Sequence, residues 1–273
     1  MSDYRFTELG KETRYSDHYD PSLLCPIARV KTRQSDDAKS LPFIGVDLWT
    51  AYELSWLNLD GLPQVAIVEF MVPCDSQSIV ESKSFKLYLN SFIQTQFASI
   101  DAIQAQLVND LSAATGAIVE VVVYEIAEYL GIQPIAEPQG ICIDRQSLVI
   151  DRYHPDASLL DSDKSFEVEE TLYSHLLKTN CPVTDQPDWA SIYLFYKGPK
   201  IDREGLLKYI VSYRQHQDFH EQCVEQIFLD IMTACSPQAL SVYARYMRRG
   251  GLDINPFRST HLSRPPLFRQ VRQ

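Results

Sequence analysis

Leu87-Tyr88-Leu89-Asn90-Ser91-Phe92 can be laid over Lys208-Tyr209-Ile210-Val211-Ser212-Tyr213 at an offset of 121 residues, and Phe97 over Phe219 at 122. Similar patterns surround both stretches. Val65 to Val72 (VAIVEFMV) is an apolar run of strand length. Glu81 to Phe92 places aromatic and aliphatic residues near every second position, the pattern of a half-exposed strand. Ile100, Ile103, Leu107 and Leu111 recur at helical spacing, and Gly116 closes that segment. Ala117 to Ile126 (AIVEVVVYEI) is rich in β-branched residues and reads as a strand.

The second half keeps the order. Ile192 to Tyr196 reads as a strand, and Leu206 to Tyr213 takes the place of the segment 81–92. Phe219, Cys223, Ile227 and Ile231 form a helical stripe, and Ala239 to Met247 suggests a final strand. The repeated order indicates an internal duplication. It predicts an α+β protein of two modules, with antiparallel strands side by side and helices covering one face. Residues 1–40 read as a polar extension with Pro21, Pro26 and the charged stretch Lys31 to Lys39. The first module is expected over 41–135, and a connector with the second module over 136–273.

Composition sets outer bounds. The chain has 273 residues, 45% apolar and 22% charged, which are ordinary globular values. Its formal net charge of −11 argues against a protein that coats nucleic acid. No apolar run is long enough for a transmembrane helix, and the polar N-terminus shows no secretory signal. The six cysteines, at 25, 74, 142, 181, 223 and 235, form no CxxC pair and no Cys/His spacing suited to zinc. A reduced, cytoplasmic protein is expected, with most cysteines acting as small buried hydrophobes.

The copies differ at polar positions. Glu81-Ser82-Lys83 stands opposite Asp202-Arg203-Glu204, and Phe219-His220-Glu221 opposite Phe97-Ala98-Ser99. Either each half keeps a reactive set for one shared site, between halves or between subunits, or solvated faces have drifted. Cys181 lies in Lys178-Thr179-Asn180-Cys181-Pro182-Val183-Thr184-Asp185-Gln186-Pro187-Asp188, a loop and not a core strand. A thiol needs a neighbour to become thiolate at neutral pH, and His220 is the candidate helper. Asp188 begins the next strand and could reach back over the loop, or simply end a turn. Glu221, in the first turn of an expected helix, either complements the helix dipole or accepts paired hydrogen bonds from a guanine-like base.

After residue 240 stand seven arginines, at 245, 248, 249, 258, 264, 269 and 272, against the single acid Asp253. Arg249 precedes Gly250-Gly251, where guanidinium and backbone could both approach a phosphate; the other reading is a solvated tail, which suits Arg264 to Arg272. No GxGxxG follows a strand and no GxxxxGK[ST] is present, so a Rossmann or P-loop site is not supported.

Together these segments resemble the NADPH-dependent 7-cyano-7-deazaguanine reductases, the nitrile reductases of queuosine biosynthesis. Glu81-Ser82-Lys83-Ser84-Phe85-Lys86-Leu87-Tyr88 is similar to their signature. The Cys181-Pro182 to Asp188 stretch, Phe219-His220-Glu221 and Arg248-Arg249-Gly250-Gly251-Leu252-Asp253-Ile254-Asn255-Pro256-Phe257-Arg258 follow in the family's order. Leu41 to Trp49 and Tyr52 to Trp56 resemble its longer, two-module form.

The resemblance implies the tunnelling fold, tandem ββααββ modules with antiparallel sheets. It implies reduction of the nitrile to an aminomethyl group with two NADPH per turnover and no metal. Cys181 then forms a thioimidate, with Asp188 as proton donor and His220 assisting. Val80, Glu81, Ser82, His220 and Glu221 contact the deazaguanine, and Ser82, Lys83, Arg249 and Gly250 contact NADPH. The substrate is a small free base, so neither nucleic acid nor membrane is an expected partner, and a homodimer or higher oligomer is implied. The rival readings are a tunnelling-fold lyase or hydrolase acting on a purine or pterin, and a non-catalytic purine-binding protein.

Overall fold

A computed structural model of the chain describes residues 15–31, 33, 41–136, 139–182 and 184–273. Most of the expected N-terminal extension, and Val183 of the cysteine loop, lie outside the described residues. The strands are β1 (Pro26–Ala28), β2 (Ile44–Leu57), β3 (Pro63–Pro73), β4 (Ser78–Val80), β5 (Glu120–Tyr124), β6 (Ile141–Cys142), β7 (Ser162–Asn180), β8 (Pro187–Ile201), β9 (Ala239–Tyr246) and β10 (Leu252–Ser259). The helices are α1 (Ser82–Asn90), α2 (Ile100–Thr115), α3 (Ile126–Tyr129), α4 (Arg203–Ser212) and α5 (His220–Cys235). The fold is α+β, and each half runs two long strands, two helices and a return to strand.

The chain divides into two compact units. The first comprises Met1–Lys39, Asp47–Pro134 and Arg248–Asp253; the second comprises Ser40–Val46, Ile135–Met247 and Ile254–Gln273. In the first, strands lie in the order β5-β3-β2, with β5 antiparallel to β3. Phe70, Phe85, Tyr88 and Phe92 are buried there, each ring edge-on or stacked on the next. In the second, the order is β10-β9-β8-β7-β6; β7, β8, β9 and β10 pair antiparallel and only the two-residue β6 is parallel. Ile227, Phe228 and Ile231 of α5 and Leu240, Val242 and Ala244 of β9 are fully buried in this unit.

Two segments expected as strands are helices. Glu81 to Phe92 folds as α1 because the Glu81 side chain accepts the N–H groups of Lys83 (2.7 Å) and Ser84 (2.8 Å), which starts a helix. The stretch contains no β-branched residue, and Phe85, Tyr88 and Phe92 satisfy helical spacing as well as alternation satisfies their neighbours. Leu206 to Tyr213 folds as α4, with Asp202 accepting the N–H groups of Glu204 (3.4 Å) and Gly205 (2.9 Å). The expected helices hold: α2 is capped by Ser99 and ends at Gly116 with φ +70°, and α5 carries the Cys223, Ile227, Ile231 stripe inward.

The tail beyond Ser259 is not simply solvated. Gln270 and Gln273 are buried, Gln273 donates to the Tyr246 carbonyl (3.0 Å), and Arg272 donates to the His175 carbonyl (2.8 Å). Arg245 and Arg258, within the basic stretch, are among the most buried residues of the unit. Arg258 pairs with Glu225 at 2.7 Å and donates to the Val46 carbonyl. Gly45 sits where a Cβ would fall 2.1 Å from the Phe257 carbonyl oxygen, so only glycine fits. The six cysteines form no disulfide; Cys142 is exposed and Cys25 half-buried, unlike the buried filler expected of most of them.

Candidate functional site

In the second unit the β7–β8 hairpin carries the candidate nucleophile. Asn180 pairs with Pro187 and Thr179 with Asp188, so Cys181 begins the connection and Asp188 opens the returning strand. Cys181 N–H donates to the Gln186 carbonyl (2.9 Å) and its own carbonyl accepts from Asp185 N–H (3.1 Å), which folds the connection tightly. Asp185 adopts φ +55°, the left-handed turn conformation that Asp tolerates. Cys181 and Asp188 are both buried, at 8% and 4% exposure.

The hairpin is tied to the start of α5. Asn180 N–H donates to the His216 carbonyl (2.8 Å), and Asp218 N–H donates to the Asn180 carbonyl (3.3 Å). Gln217 Nε2 reaches Asp185 Oδ1 at 2.9 Å. This brings His220, the first residue of α5, to Asp188: Nε2 and Oδ2 lie 3.3 Å apart. Nδ1 of His220 is buried without a hydrogen-bond partner. Glu221 follows in the same turn, buried to 3% exposure. The second unit therefore holds Asp188 against His220, with Cys181 on the same hairpin and Glu221 in the same turn of α5. It also shows what the sequence did not: Tyr246, at the end of β9, stacks flat on His220.

The first unit gathers the other set. Val80 ends β4 and is buried, Glu81 caps α1, and Ser82 and Lys83 open that helix, partly exposed. Lys83 and Lys86 are one turn apart on α1. Arg249 and Leu252 exchange both main-chain hydrogen bonds, at 2.9 and 3.3 Å, around Gly250 (φ +59°) and Gly251 (φ +76°). Positive φ at both central residues marks a type I′ turn, which Gly-Gly permits at no steric cost. A Cβ on Gly250 would touch the Lys86 side chain at 3.3 Å, so the turn lies against that lysine. The Arg248 guanidinium stands over the Tyr52 ring at 4.7 Å, and the Tyr52 hydroxyl donates to Asp253 at 2.7 Å. Lys86 thus lies beside a glycine turn that follows two arginines, residue types that suit phosphate oxygens.

A separate cleft of about 940 Å³ in the second unit is lined by Phe195, Phe257, His261 and Arg264 among others, and contains none of these residues. Among the described residues no group of three His, Cys, Asp or Glu is placed to hold a metal ion, and no helix is long and apolar enough to cross a membrane.

Comparison with known proteins follows the same residues. Residues 15–123 match the family model described as nitrile reductase, 7-cyano-7-deazaguanine-reductase N-term, and residues 187–264 match the QueF-like protein model. An NADPH-dependent 7-cyano-7-deazaguanine reductase of Paraburkholderia phytofirmans is 55% identical over 97% of this chain and 97% of its own length. Those of Chromobacterium violaceum (54%, 92% of this chain and 90% of theirs) and Cupriavidus pinatubonensis (52%, 100% of both) are similar throughout. Agreement over nearly the whole length, in both halves, shows that the chain belongs to the 7-cyano-7-deazaguanine reductase family of nitrile reductases.

Proposed function

We propose that the protein reduces the nitrile of 7-cyano-7-deazaguanine to an aminomethyl group, at the expense of two NADPH, in queuosine biosynthesis. The observation that carries this is the buried thiol of Cys181 on a hairpin whose returning strand presents Asp188, itself 3.3 Å from His220.

A nitrile carbon is a modest electrophile, and covalent capture divides one hard addition into easier steps. The Cys181 thiolate attacks that carbon, forming the C–S bond. The electron pair of one C–N π bond moves to nitrogen, which takes a proton from Asp188, giving a thioimidate. His220, in contact with Asp188, passes the replacement proton. NADPH, when bound, supplies the hydride for each of the two reductions. After the first, the carbon is tetrahedral, and Cys181 leaves as thiolate while an imine forms; after the second, a proton passed by the Asp188–His220 pair leaves the nitrogen as an amine. Glu221 and Glu81, each a buried carboxylate, suit the N–H edge of a deazaguanine, with Val80 and Ser82 beside Glu81.

The cationic and polar donors of the first unit fit NADPH by their chemistry: Ser82 and Lys83 at the helix start, with Arg249 and Gly250 at the turn, would hold the phosphates. Tandem ββααββ modules agree with the tunnelling architecture, and we read the working form as a homodimer or larger assembly in the cytoplasm, acting on the free base without binding nucleic acid or membrane. The test is loss of NADPH absorbance on adding the nitrile, for wild type and Cys181→Ala. Wild type should consume two NADPH per nitrile and the variant none. Mixed with nitrile alone, wild type should gain the substrate's mass at Cys181. Turnover by Cys181→Ala would end this reading.

A further inference from the structure

The Tyr246 and His220 rings lie face to face, centroids 3.7 Å apart and planes within 1°. Two aromatic rings left to themselves prefer offset or edge-on contacts with centroids about 4.5–7 Å apart. This contact is therefore imposed by what holds each residue. Tyr246 ends β9 opposite Ala190, two residues beyond Asp188 on β8. Its N–H donates to Asn255 Oδ1 (3.1 Å), and its carbonyl accepts from Gln273 Nε2 (3.0 Å). Its side chain is fully buried, and burial pushes the phenol well above its usual range, so the ring stays uncharged at neutral pH. His220 is fixed by the first turn of α5, with Nε2 on Asp188 and Nδ1 buried and unpartnered.

We infer that Tyr246 is a positioning residue for the reaction: its ring locks the His220 imidazole so that Nε2 stays on Asp188 and Nδ1 remains the uncommitted polar atom offered to the substrate. This deepens, and rests on, the reading of Asp188 and His220 as the proton-handling pair. A half-turn of the imidazole about Cβ–Cγ exchanges Nε2 with Cε1 and Nδ1 with Cδ2, replacing the Asp188 contact by a C–H group. To make that turn the ring must pass edge-on to its neighbour. A gap of 3.7 Å is one van der Waals thickness, since carbon atoms meet at about 3.5–4.0 Å, and it has no room for the edge. The flat face of Tyr246, and not its hydroxyl, does this.

The experiment compares Tyr246→Phe and Tyr246→Leu with wild type in three readouts: steady-state kinetics, the rate of mass gain at Cys181 with nitrile alone, and nitrogen NMR of histidine-labelled protein with the His220 signals assigned through His220→Asn. Tyr246→Phe should retain wild-type kcat and adduct rate. Tyr246→Leu should lose about tenfold or more in both with KM for the nitrile little changed, as misorientation of a catalytic group does. In wild type and Tyr246→Phe the His220 nitrogens should report one fixed tautomer and its ring protons should show the upfield shift of a stacked ring. A wild-type kcat in Tyr246→Leu, or a loss in Tyr246→Phe as large as in Tyr246→Leu, would overturn the lock. If Tyr246→Leu does not fold, absence of the upfield shift in wild type overturns it equally. Failure of wild type to consume NADPH would instead defeat the proposed reaction, and the NMR would still decide the lock.

Discussion

Glu81 and Asp202, 121 residues apart, cap α1 and α4 in the same way: each carboxylate accepts two backbone N–H groups of the turn it opens. The duplication continues inward. Tyr88 donates to Asp110 (2.6 Å) and Tyr209 to Asp230 (2.5 Å); Gln106 and Gln226 donate to the other oxygen of each aspartate; Ser91 and Ser212 donate to the carbonyls of those tyrosines. Outside the aligned segments, Asp20 binds Ser22 at a 3₁₀ turn as Asp156 binds Ser158. Glu81 is a cap, and the proposed function asks it to be a substrate ligand as well.

Those two demands on Glu81 can be separated. Glu81→Ala should lower stability by about 1–2 kcal/mol through loss of the cap, seen in thermal or urea unfolding. Glu81→Asp keeps a good cap and should unfold like wild type, yet its shorter carboxylate should raise the KM for the nitrile. Equal KM values in Glu81→Asp and wild type would leave Glu81 as a cap alone.

Asp188→Asn preserves size but cannot donate a carboxylic proton. Adduct formation at Cys181 should slow by about 10²–10⁴-fold while equilibrium binding of the nitrile, measured calorimetrically, changes little. An unchanged adduct rate would clear Asp188 of proton transfer.

Gly250→Ala places a side chain at φ +59° and against Lys86. The left-handed conformation costs about 1–2 kcal/mol, and the crowded lysine should weaken NADPH. The KM for NADPH should rise several-fold while the adduct rate with nitrile alone stays at the wild-type value. Gly251→Ala meets only Glu53 at 3.6 Å, so it should show the strain with a smaller cofactor effect.

Buried tyrosines set an alkaline limit. Tyr88, Tyr209 and Tyr213 have phenols held well above the usual value near 10, chiefly by burial. Below pH 10 both folded and unfolded chains keep these protons. Above it the unfolded chain releases them while the folded chain does not, so stability falls with rising pH, by about 1.4 kcal/mol per unit for each such group. Urea midpoints should decline from pH 9 to 11, with a further rise in tyrosinate absorbance on unfolding as the buried phenols ionise. Tyr88→Phe with Tyr209→Phe should flatten the decline; a slope as steep as wild type would contradict it.

The parts of the fold visible in the sequence were those whose signals are local. Ile100, Ile103, Leu107 and Leu111 share one helix face, and Ser99 and Gly116 bound it, so α2 needs no partner to be recognised. The strand β7 gives no such sign: Asp163, Lys164, Ser165 and Glu167 are exposed and polar with Phe166 exposed among them, and the strand is held extended by its pairing with β8 from Ser162–Ile201 to Asn180–Pro187, with a bulge between Asp163 and Glu167. Alternation misplaced Glu81 to Phe92 because Phe85, Leu87 and Leu89 fit a period of two while Phe85, Tyr88 and Phe92 fit the helical one, and the cap decided between them. At the site, the proline-flanked loop marked Cys181 and Asp188. Nothing local marked Tyr246, whose neighbour His220 is fixed by the register of β9 on β8 and by the start of α5.

Gly45 has a reach beyond its own strand. Its next residue, Val46, offers its carbonyl to Arg258, and Arg258 grips Glu225, one helical turn past Glu221. A methyl group at 45 would therefore act as a wedge under the Phe257 carbonyl, prying at a lever whose far arm is the opening turn of α5. A residue with no chemistry of its own would then govern how squarely the His220 imidazole meets the Asp188 carboxylate.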